Sequence, residues 1–85
     1  DIDGLDPRFC PNTGTPVPGG LDFSEAVHLI SVVARSGRKI VGFDLNEVSP
    51  GDEGAEWDGN VGARLLYKLS AWTLFSQKLV ELTGV

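Results

Sequence analysis

The sequence is poor in cysteine and in positive charge, and it contains no long apolar run. Cys10 is the only cysteine among 85 residues, so no disulfide can form within the chain. A lone thiol is typical of a reducing compartment, and we therefore expect a cytoplasmic location. Seven Lys and Arg stand against twelve Asp and Glu, which argues against a nucleic-acid partner because such partners require clustered basic residues. No apolar stretch approaches the ~18 residues of a membrane span, so no membrane partner is expected.

The chain also contains no methionine, and it begins with Asp1-Ile2-Asp3. A chain of 85 residues allows one small domain at most, and a domain of that size buries only ~60–65% of its unfolded surface. The opening residues are typical of the end of a secondary-structure element rather than of its beginning. We therefore expect residues 1–85 to be the C-terminal part of a longer protein and to melt with poor cooperativity on their own.

Proline and glycine set the predicted boundaries of the secondary-structure elements. Four prolines within residues 7–18 exclude a helix or a central strand from the first stretch. Asp22 and Glu25 have the spacing of a capping box at the start of one helix, Asp58 can cap another, and Gly84 suits its end. The predicted elements are a loop at 1–21, a helix at 22–36, a strand at 39–45, a loop at 46–59 with Gly54 in it, and a helix at 60–82.

The order of these elements predicts the fold class. Residues 40–45 are apolar on both faces apart from Asp44, as is typical of a buried strand in a parallel sheet. Predicted helices lie on both sides of this run along the chain. Strands that alternate with helices indicate an α/β protein with a mainly parallel sheet. Because one strand cannot form a sheet, the other strands are expected in the rest of a longer protein.

Asp1 and Asp3 are the first candidate site residues. In an extended chain they would point to the same side, ~6.6 Å apart along the strand. Two carboxylates so placed repel each other unless a cation lies between them, and oxygen ligands suit hard cations such as Mg, Ca or Mn. A solvated acidic turn is the simpler interpretation of these two residues alone. Asp6, which precedes Pro7, is interpreted as a turn residue.

The other reactive or aromatic side chains have simple structural interpretations. Cys10 has no nearby His or Asn in the sequence that would activate it as a nucleophile. His28 lies on a predicted helix with few acidic neighbours, and we interpret it as a surface or interface residue. Trp57 and Trp72 are interpreted as packing residues rather than as substrate platforms. Glu47, taken by itself, is a loop acid.

Two longer motifs resemble those of the ureohydrolase family, which includes arginase, agmatinase and formiminoglutamase. The first loop contains D-I-D-G-L-D-P, P-N-T-G-T-P and G-G-L, and it resembles the family's S-x-D-x-D-x-x-D-P…P-G-T-G-T-P…G-G-L. Residues 41–50, V-G-F-D-L-N-E-V-S-P, resemble the family's V-G-x-D-x-x-E-x-x-P. The resemblance covers nearly the whole chain, and the second motif looks closest to agmatinase-like members. It implies a three-layer α/β/α fold with a mainly parallel sheet, of which residues 1–85 would be the C-terminal part.

The resemblance also implies roles for individual residues. Asp1 matches a carboxylate that bridges two manganese ions, and Asp3 matches one that chelates a single ion. Glu47 matches the carboxylate that holds the substrate guanidinium, whose planar N–H donors pair well with a carboxylate. Thr15 matches a hydroxyl near the guanidinium. We expect Asp44 to support the site by accepting hydrogen bonds, because an unpaired buried carboxylate is costly.

The activity implied by the resemblance is manganese-dependent hydrolysis of a small guanidino compound. Water activated by two metal ions would attack the guanidinium carbon, and urea and an amine would be released. Agmatine, which gives putrescine, is the leading substrate, with arginase or formiminoglutamase activity as the alternatives. A non-catalytic fragment or a degenerate partner subunit is the alternative from another class. Against it stand Asp1, Asp3 and Glu47, because packing does not require three acids at those points.

The sequence departs from the family pattern in two respects. Asn12 stands where the family usually has a small residue such as Gly, Ser or Ala. The family's other metal ligands, two His and two Asp, and its catalytic His lie upstream of the residues present here. Two carboxylates cannot hold a binuclear metal cluster, so the isolated residues are expected to be inactive. The resemblance further implies a trimer or hexamer for the longer protein.

Overall fold

Two α-helices and one short 3₁₀ turn make up the regular structure of the residues that the structure describes. The computed structural model describes residues 1–52 and 56–81. Within these ranges the 3₁₀ turn spans Ile2–Gly4, helix α1 spans Phe23–Arg35, and helix α2 spans Trp57–Ser76. The two helices pack against each other. Neither helix of the described ranges is apolar enough over a sufficient length to cross a membrane.

A small apolar core joins the first loop to α2. Ile2, Leu5 and Cys10 of the loop are buried together with Val61 of α2. Phe9, Phe23 and Ala26 pack against this cluster from its edge. The loop is therefore an ordered, packed segment, because its apolar side chains face α2 and the start of α1.

A second cluster holds the other end of the helix pair. Trp72 of α2 is completely buried, and its ring meets the ring of Phe75 edge-on with centroids 5.2 Å apart. The guanidinium carbon of Arg35, at the end of α1, lies 4.8 Å from the centre of the Trp72 ring. A cation over an aromatic face is attracted by the ring's quadrupole, so this contact links the C-terminal ends of both helices.

Helix α1 occupies Phe23–Arg35, where residues 22–36 were predicted to be helical. Its start is a capping box, in which the Asp22 amide donates to Glu25 Oε1 at 2.9 Å. Its end is followed by Gly37 at φ +90°, a conformation that glycine adopts without steric cost. Capping at both ends therefore follows the residues that the sequence offers for it.

Helix α2 differs from the predicted helix at 60–82 at both ends. It begins at Trp57, so Asp58 lies inside the first turn and its side chain does not cap the helix. It ends at Ser76, because Lys78 adopts φ +60° and closes the helix. The amide of Lys78 donates to the carbonyl of Phe75, and that of Leu79 to the carbonyl of Leu74, which is the Schellman pattern. Gly84, predicted to end this helix, and Gly54, predicted to lie in the second loop, fall outside the described residues.

The strand predicted at 39–45 is not a strand in the described structure, where residues 38–51 have no regular secondary structure. A strand is defined by the ladder it forms with a neighbour, and no described segment lies alongside this one as a strand. Val41 is 88% exposed and Phe43 is 41% exposed. The apolar run is therefore present without the sheet that it was predicted to join.

The first loop is closed at its base by a short parallel pairing. Leu5 and Leu21 form an isolated bridge, in which the Asp6 amide donates to the Leu21 carbonyl at 2.9 Å and the Leu21 amide to the Gly4 carbonyl at 3.0 Å. Gly20 passes so close that a Cβ there would lie 2.5 Å from the carbonyl carbon of Leu5. The pairing therefore requires glycine at position 20 for steric reasons.

Candidate functional site

Asp1 and Asp3 lie at the start of the chain, on either side of buried Ile2. The expected extended geometry is wrong for this segment, because residues 2–4 form a 3₁₀ turn with Asp1 at its N-cap. A 3₁₀ helix has about three residues per turn, so residues i and i+2 do not share a side as they do in a strand. Asp1 is exposed and Asp3 is partly buried.

Thr15 is held directly against Asp3. Its hydroxyl donates to Asp3 Oδ2 over 2.7 Å, a short bond of the kind made to a carboxylate. The two residues were assigned to different tasks, metal binding and substrate binding, yet the folded loop places them side by side. The bond fixes the Asp3 side chain through one oxygen, and this leaves the other oxygen to take a different partner.

Glu47 lies next to the first loop and has an unusual backbone. Its φ of +67° is in the left-handed region, which residues other than glycine rarely adopt. The hydroxyl of Thr13, a residue only 4% exposed, donates to the Glu47 carbonyl at 3.0 Å. Sequence reasoning did not assign a role to Thr13, since the motif that contains it directs attention to Thr15.

One backbone hydrogen bond joins the two sequence motifs. The Ile2 amide, between Asp1 and Asp3, donates to the Asn46 carbonyl at 3.0 Å. Asn46 immediately precedes Glu47, so this bond and the bond from Thr13 fix two successive carbonyls of the second loop. The two candidate metal ligands and Glu47 are thereby brought to one region of the surface, although 43 residues separate Asp3 from Glu47 along the chain.

Asp44 does not lie in the buried strand in which it was predicted. Its side chain is exposed, and its Oδ1 accepts a 2.7 Å hydrogen bond from the Asn46 side-chain amide. Asp44 therefore contacts Asn46, the residue that immediately precedes Glu47. A supporting role for Asp44 stays a prediction.

Asn12 and Asp58 form the link between the first loop and α2. Asp58 is completely buried, and its Oδ2 and Oδ1 accept from the backbone amide and the side-chain amide of Asn12, each at 3.0 Å. Sequence reasoning missed this pair, because it assigned Asp58 to a helix cap and treated Asn12 only as a departure from a motif. Neither residue stands next to a buried apolar residue in the sequence, so a single sequence gives no local signal for this pair.

Cys10 is an unreactive thiol in this setting. Its side chain is completely buried, and its sulfur contacts the Ile2, Leu5 and Asp6 carbonyls at 3.5–3.7 Å. Burial raises the pKa of the Cys10 thiol, and the negative charge of nearby Asp58 raises it further. The thiol therefore stays protonated at neutral pH, and since the thiolate is the nucleophile, Cys10 is a packing residue.

The remaining residues interpreted from sequence have structural surroundings. His28 is exposed on α1. Trp57 is 54% exposed, and its indole N–H donates to the Arg8 carbonyl at 3.1 Å, which adds a second link between α2 and the first loop. Asp6 accepts hydrogen bonds from the Arg8 and Gly19 amides, both at 3.2 Å. Asp6 is therefore a loop-shaping residue.

The donor set near Asp3 suits a hard divalent cation in part. Carboxylate oxygens are the ligands that manganese accepts, and Asp1 and Asp3 supply two of them. In residues 1–52 and 56–81 no cluster of three or more His, Cys, Asp or Glu side chains is arranged to hold a metal ion. A manganese site that uses Asp1 and Asp3 therefore requires further ligands from outside these residues.

Curated proteins that the chain resembles are named as an amidinohydrolase, an arginase and a ureohydrolase. Proclavaminate amidinohydrolase from Streptomyces clavuligerus is 46% identical over 72 residues, which cover 80% of the chain and 22% of that protein. Arginase-1 from Oryctolagus cuniculus and N(1)-aminopropylagmatine ureohydrolase from Thermus thermophilus are each 46% identical over 50 residues, or 59% of the chain. These 50 residues cover 15% and 17% of the two proteins. No solved structure gives a significant match.

The chain matches only a part of each of these relatives. The matched residues span between 15% and 22% of each of these three relatives, so they cover less than a quarter of the length of each. The model of the family described as "Arginase family" matches residues 1–71, which include both sequence motifs and all five candidate site residues. The chain therefore belongs to the arginase family of ureohydrolases.

Proposed function

We propose that these residues form part of the active site of a longer, manganese-dependent ureohydrolase that hydrolyses agmatine to putrescine and urea. Support for the reaction class comes from family membership and from relatives named as arginase, ureohydrolase and amidinohydrolase. The observation that carries the proposal is the 3.0 Å bond from the Ile2 amide to the Asn46 carbonyl, which brings the segment that contains Asp1 and Asp3 beside Glu47.

In this proposal Asp1 and Asp3 bind manganese, and Thr15 orients Asp3 through their 2.7 Å bond. Glu47 accepts N–H donors of the substrate guanidinium, and the charge of its carboxylate keeps that group cationic and oriented. When bound, manganese supplies Lewis-acid activation of water. The predicted strand at 39–45 joins a parallel sheet contributed by the rest of the protein, and the longer protein is a trimer or hexamer.

We propose agmatine rather than arginine as the substrate for two reasons. The second motif, around Glu47, is agmatinase-like, and one relative is named for an agmatine derivative. The tails of the candidate substrates differ, whereas their guanidino or formimino heads are alike. A residue that binds the head, as Glu47 is proposed to do, does not discriminate among them. Selection among substrates is therefore assigned to residues outside the chain.

The test is a substrate panel with the full-length, manganese-loaded protein. Agmatine, arginine, guanidinobutyrate and formiminoglutamate are compared by release of urea or formamide, and we expect the highest kcat/KM for agmatine. Asp3→Asn is expected to lower bound manganese and activity together. Glu47→Gln is expected to keep the metal and to raise KM. Glu81→Gln, which removes one exposed charge near the end of the described chain, is the matched control and should change neither.

Each other outcome has a definite meaning. A higher kcat/KM for arginine or formiminoglutamate would assign the protein to another activity of the same family. Undiminished manganese and activity in Asp3→Asn would remove this residue from the metal site. No turnover of any substrate by metal-loaded protein would leave the non-catalytic partner subunit as the remaining interpretation.

A further inference from the structure

We infer that Thr13 is a positioning residue for Glu47: its buried hydroxyl holds the Glu47 backbone in the left-handed conformation that aims the carboxylate. This inference rests on the proposed role of Glu47 as the residue that binds the guanidinium. Thr13 itself has no role in the proposed chemistry, and it acts through the Glu47 carbonyl.

The backbone of Glu47 requires such a partner. A residue other than glycine at φ +67° is strained, and strained conformations persist only where the surroundings determine them. The surroundings here are two hydrogen bonds from the first loop, one from the Ile2 amide to the Asn46 carbonyl and one from the Thr13 hydroxyl to the Glu47 carbonyl, both 3.0 Å long. The second bond is made to Glu47 itself, so it acts where the strain is.

Thr13 is well placed to fix a neighbour because it is itself fixed. It is 4% exposed, and its amide donates to the Cys10 carbonyl at 3.2 Å. The preceding residue, Asn12, is held by two 3.0 Å bonds to buried Asp58 of α2. The hydroxyl therefore presents a donor from a rigid base, and its position is set by α2 rather than by the exposed part of the loop.

The hydrogen bond from Thr13 determines the orientation of the Glu47 backbone, and the Glu47 side chain projects from that backbone. If the bond is lost, the backbone can relax toward negative φ, and the carboxylate then points elsewhere. Displacement of a binding group by about 1 Å is sufficient to weaken its effect strongly. The consequence is specific, because substrate binding suffers while the metal ligands Asp1 and Asp3 keep their own supports.

The experiment is a series at position 13 in the full-length, manganese-loaded protein. Thr13→Val keeps the shape and removes the hydroxyl, and we expect KM for the guanidino substrate to rise about tenfold while kcat changes by no more than about twofold. Bound manganese is expected to stay unchanged. Thr13→Ser restores the donor and should restore KM, whereas Thr13→Cys, a weak donor, should give an intermediate KM. If the Val variant does not fold, the order of the Ser and Cys variants carries the test.

A double variant separates positioning from an independent effect. In a Glu47→Gln background, Thr13→Val should add little to the rise in KM, because residues that act through one another are not additive. Equal factors in both backgrounds, a wild-type KM in Thr13→Val, or equal loss in the Ser and Val variants would each overturn the positioning role alone. An unchanged KM in Glu47→Gln would instead overturn the proposed role of Glu47, and with it that of Thr13.

Discussion

Gly20 is a residue at which a single methyl group would clash with the backbone of the first loop. A Cβ there would meet the Leu5 carbonyl carbon at 2.5 Å and the Asp6 amide nitrogen at 2.6 Å. Both obstacles are backbone atoms, so neither can move aside without opening the pairing between Leu5 and Leu21. We expect Gly20→Ala to lower the free energy of unfolding of the full-length protein by about 1–3 kcal/mol, as overpacking does.

Gly4→Ala is the matched control for this prediction, measured by urea unfolding under the same conditions. Gly4 takes part in the same pairing through its carbonyl, but a Cβ there would meet nothing within 4 Å. Its effect should stay within about 0.5 kcal/mol. Equal losses at both positions would show that the close approach at Gly20 does not determine stability.

At the same scale, the sequence motifs drew attention to some residues of this region and not to others. Asp3, Thr15 and Glu47 were predicted from motif positions, and the fold brings their segments together. Thr13 was assigned no role and Asp58 was predicted only to cap a helix, because their observed contacts span 34 and 46 residues. Pairings over such separations depend on packing that no local pattern encodes.

At the scale of elements, the contact between the first loop and α2 carries a prediction of its own. Asp58→Ala removes both acceptors for Asn12 and leaves a backbone amide without its partner, so we expect a loss of about 1.5–3 kcal/mol in the free energy of unfolding. Asn12→Ala removes only the side-chain bond and should cost about 1 kcal/mol. Urea unfolding of the two single variants and the double variant measures both effects.

The double variant decides whether the two residues form one unit. If they do, Asp58→Ala combined with Asn12→Ala should be no less stable than Asp58→Ala alone, since the bonds of Asn12 are already lost. Strictly additive losses would mean that Asn12 stabilises the loop by another route. In that case α2 would not set the position of Thr13.

Some helix boundaries can be predicted from local sequence and others cannot. The start of α1 follows from the capping box of Asp22 and Glu25, whose residue types and spacing are local. The end of α2 does not follow from its residues, since Lys78 closes it at φ +60° and lysine has no preference for that conformation. The predicted strand at 39–45 has the composition of a strand, but a ladder requires a partner, and no described segment pairs with it.

At the scale of the whole molecule, the chain exposes more surface than a folded monomer of its size. Its accessible surface is 5707 Å², against about 4,900 Å² for a compact protein of 9.1 kDa. Its radius of gyration is 13.6 Å, against about 12 Å expected for a compact domain of this length. Exposed Val41, Phe43 and Leu79 contribute to the excess.

We therefore expect the 85-residue polypeptide to unfold over a broad temperature range when melting is followed by circular dichroism. We also expect it to bind a hydrophobic dye at about 20 °C, well below the midpoint of thermal unfolding. Val41→Thr keeps the β-branched shape and should reduce dye binding without loss of helix. Val61→Thr is the contrasting variant, because Val61 is buried in the core. It should broaden the transition further. A sharp transition without dye binding would mean that the polypeptide buries its apolar surface by itself.

The fold class was predicted from the sequence pattern, but the sheet that defines it is not formed by the described residues. Alternation of helix and strand patterns predicts an α/β protein, and the family to which the chain belongs has that class of fold. The described residues supply two helices and one isolated bridge. A parallel sheet is a property of several strands together, so it could be inferred from pattern and family but not built from these residues.

The bridge between Leu5 and Leu21 has an evolutionary consequence. It places the two ends of the first loop side by side, so the length of chain between them does not determine where α1 begins. Doubling the length of a flexible loop costs only about 0.6 kcal/mol in closure entropy. Insertions within the exposed residues 16–19 would therefore leave Asp3, Thr13 and α1 in place. Natural variation in loop length is expected to concentrate in that short stretch.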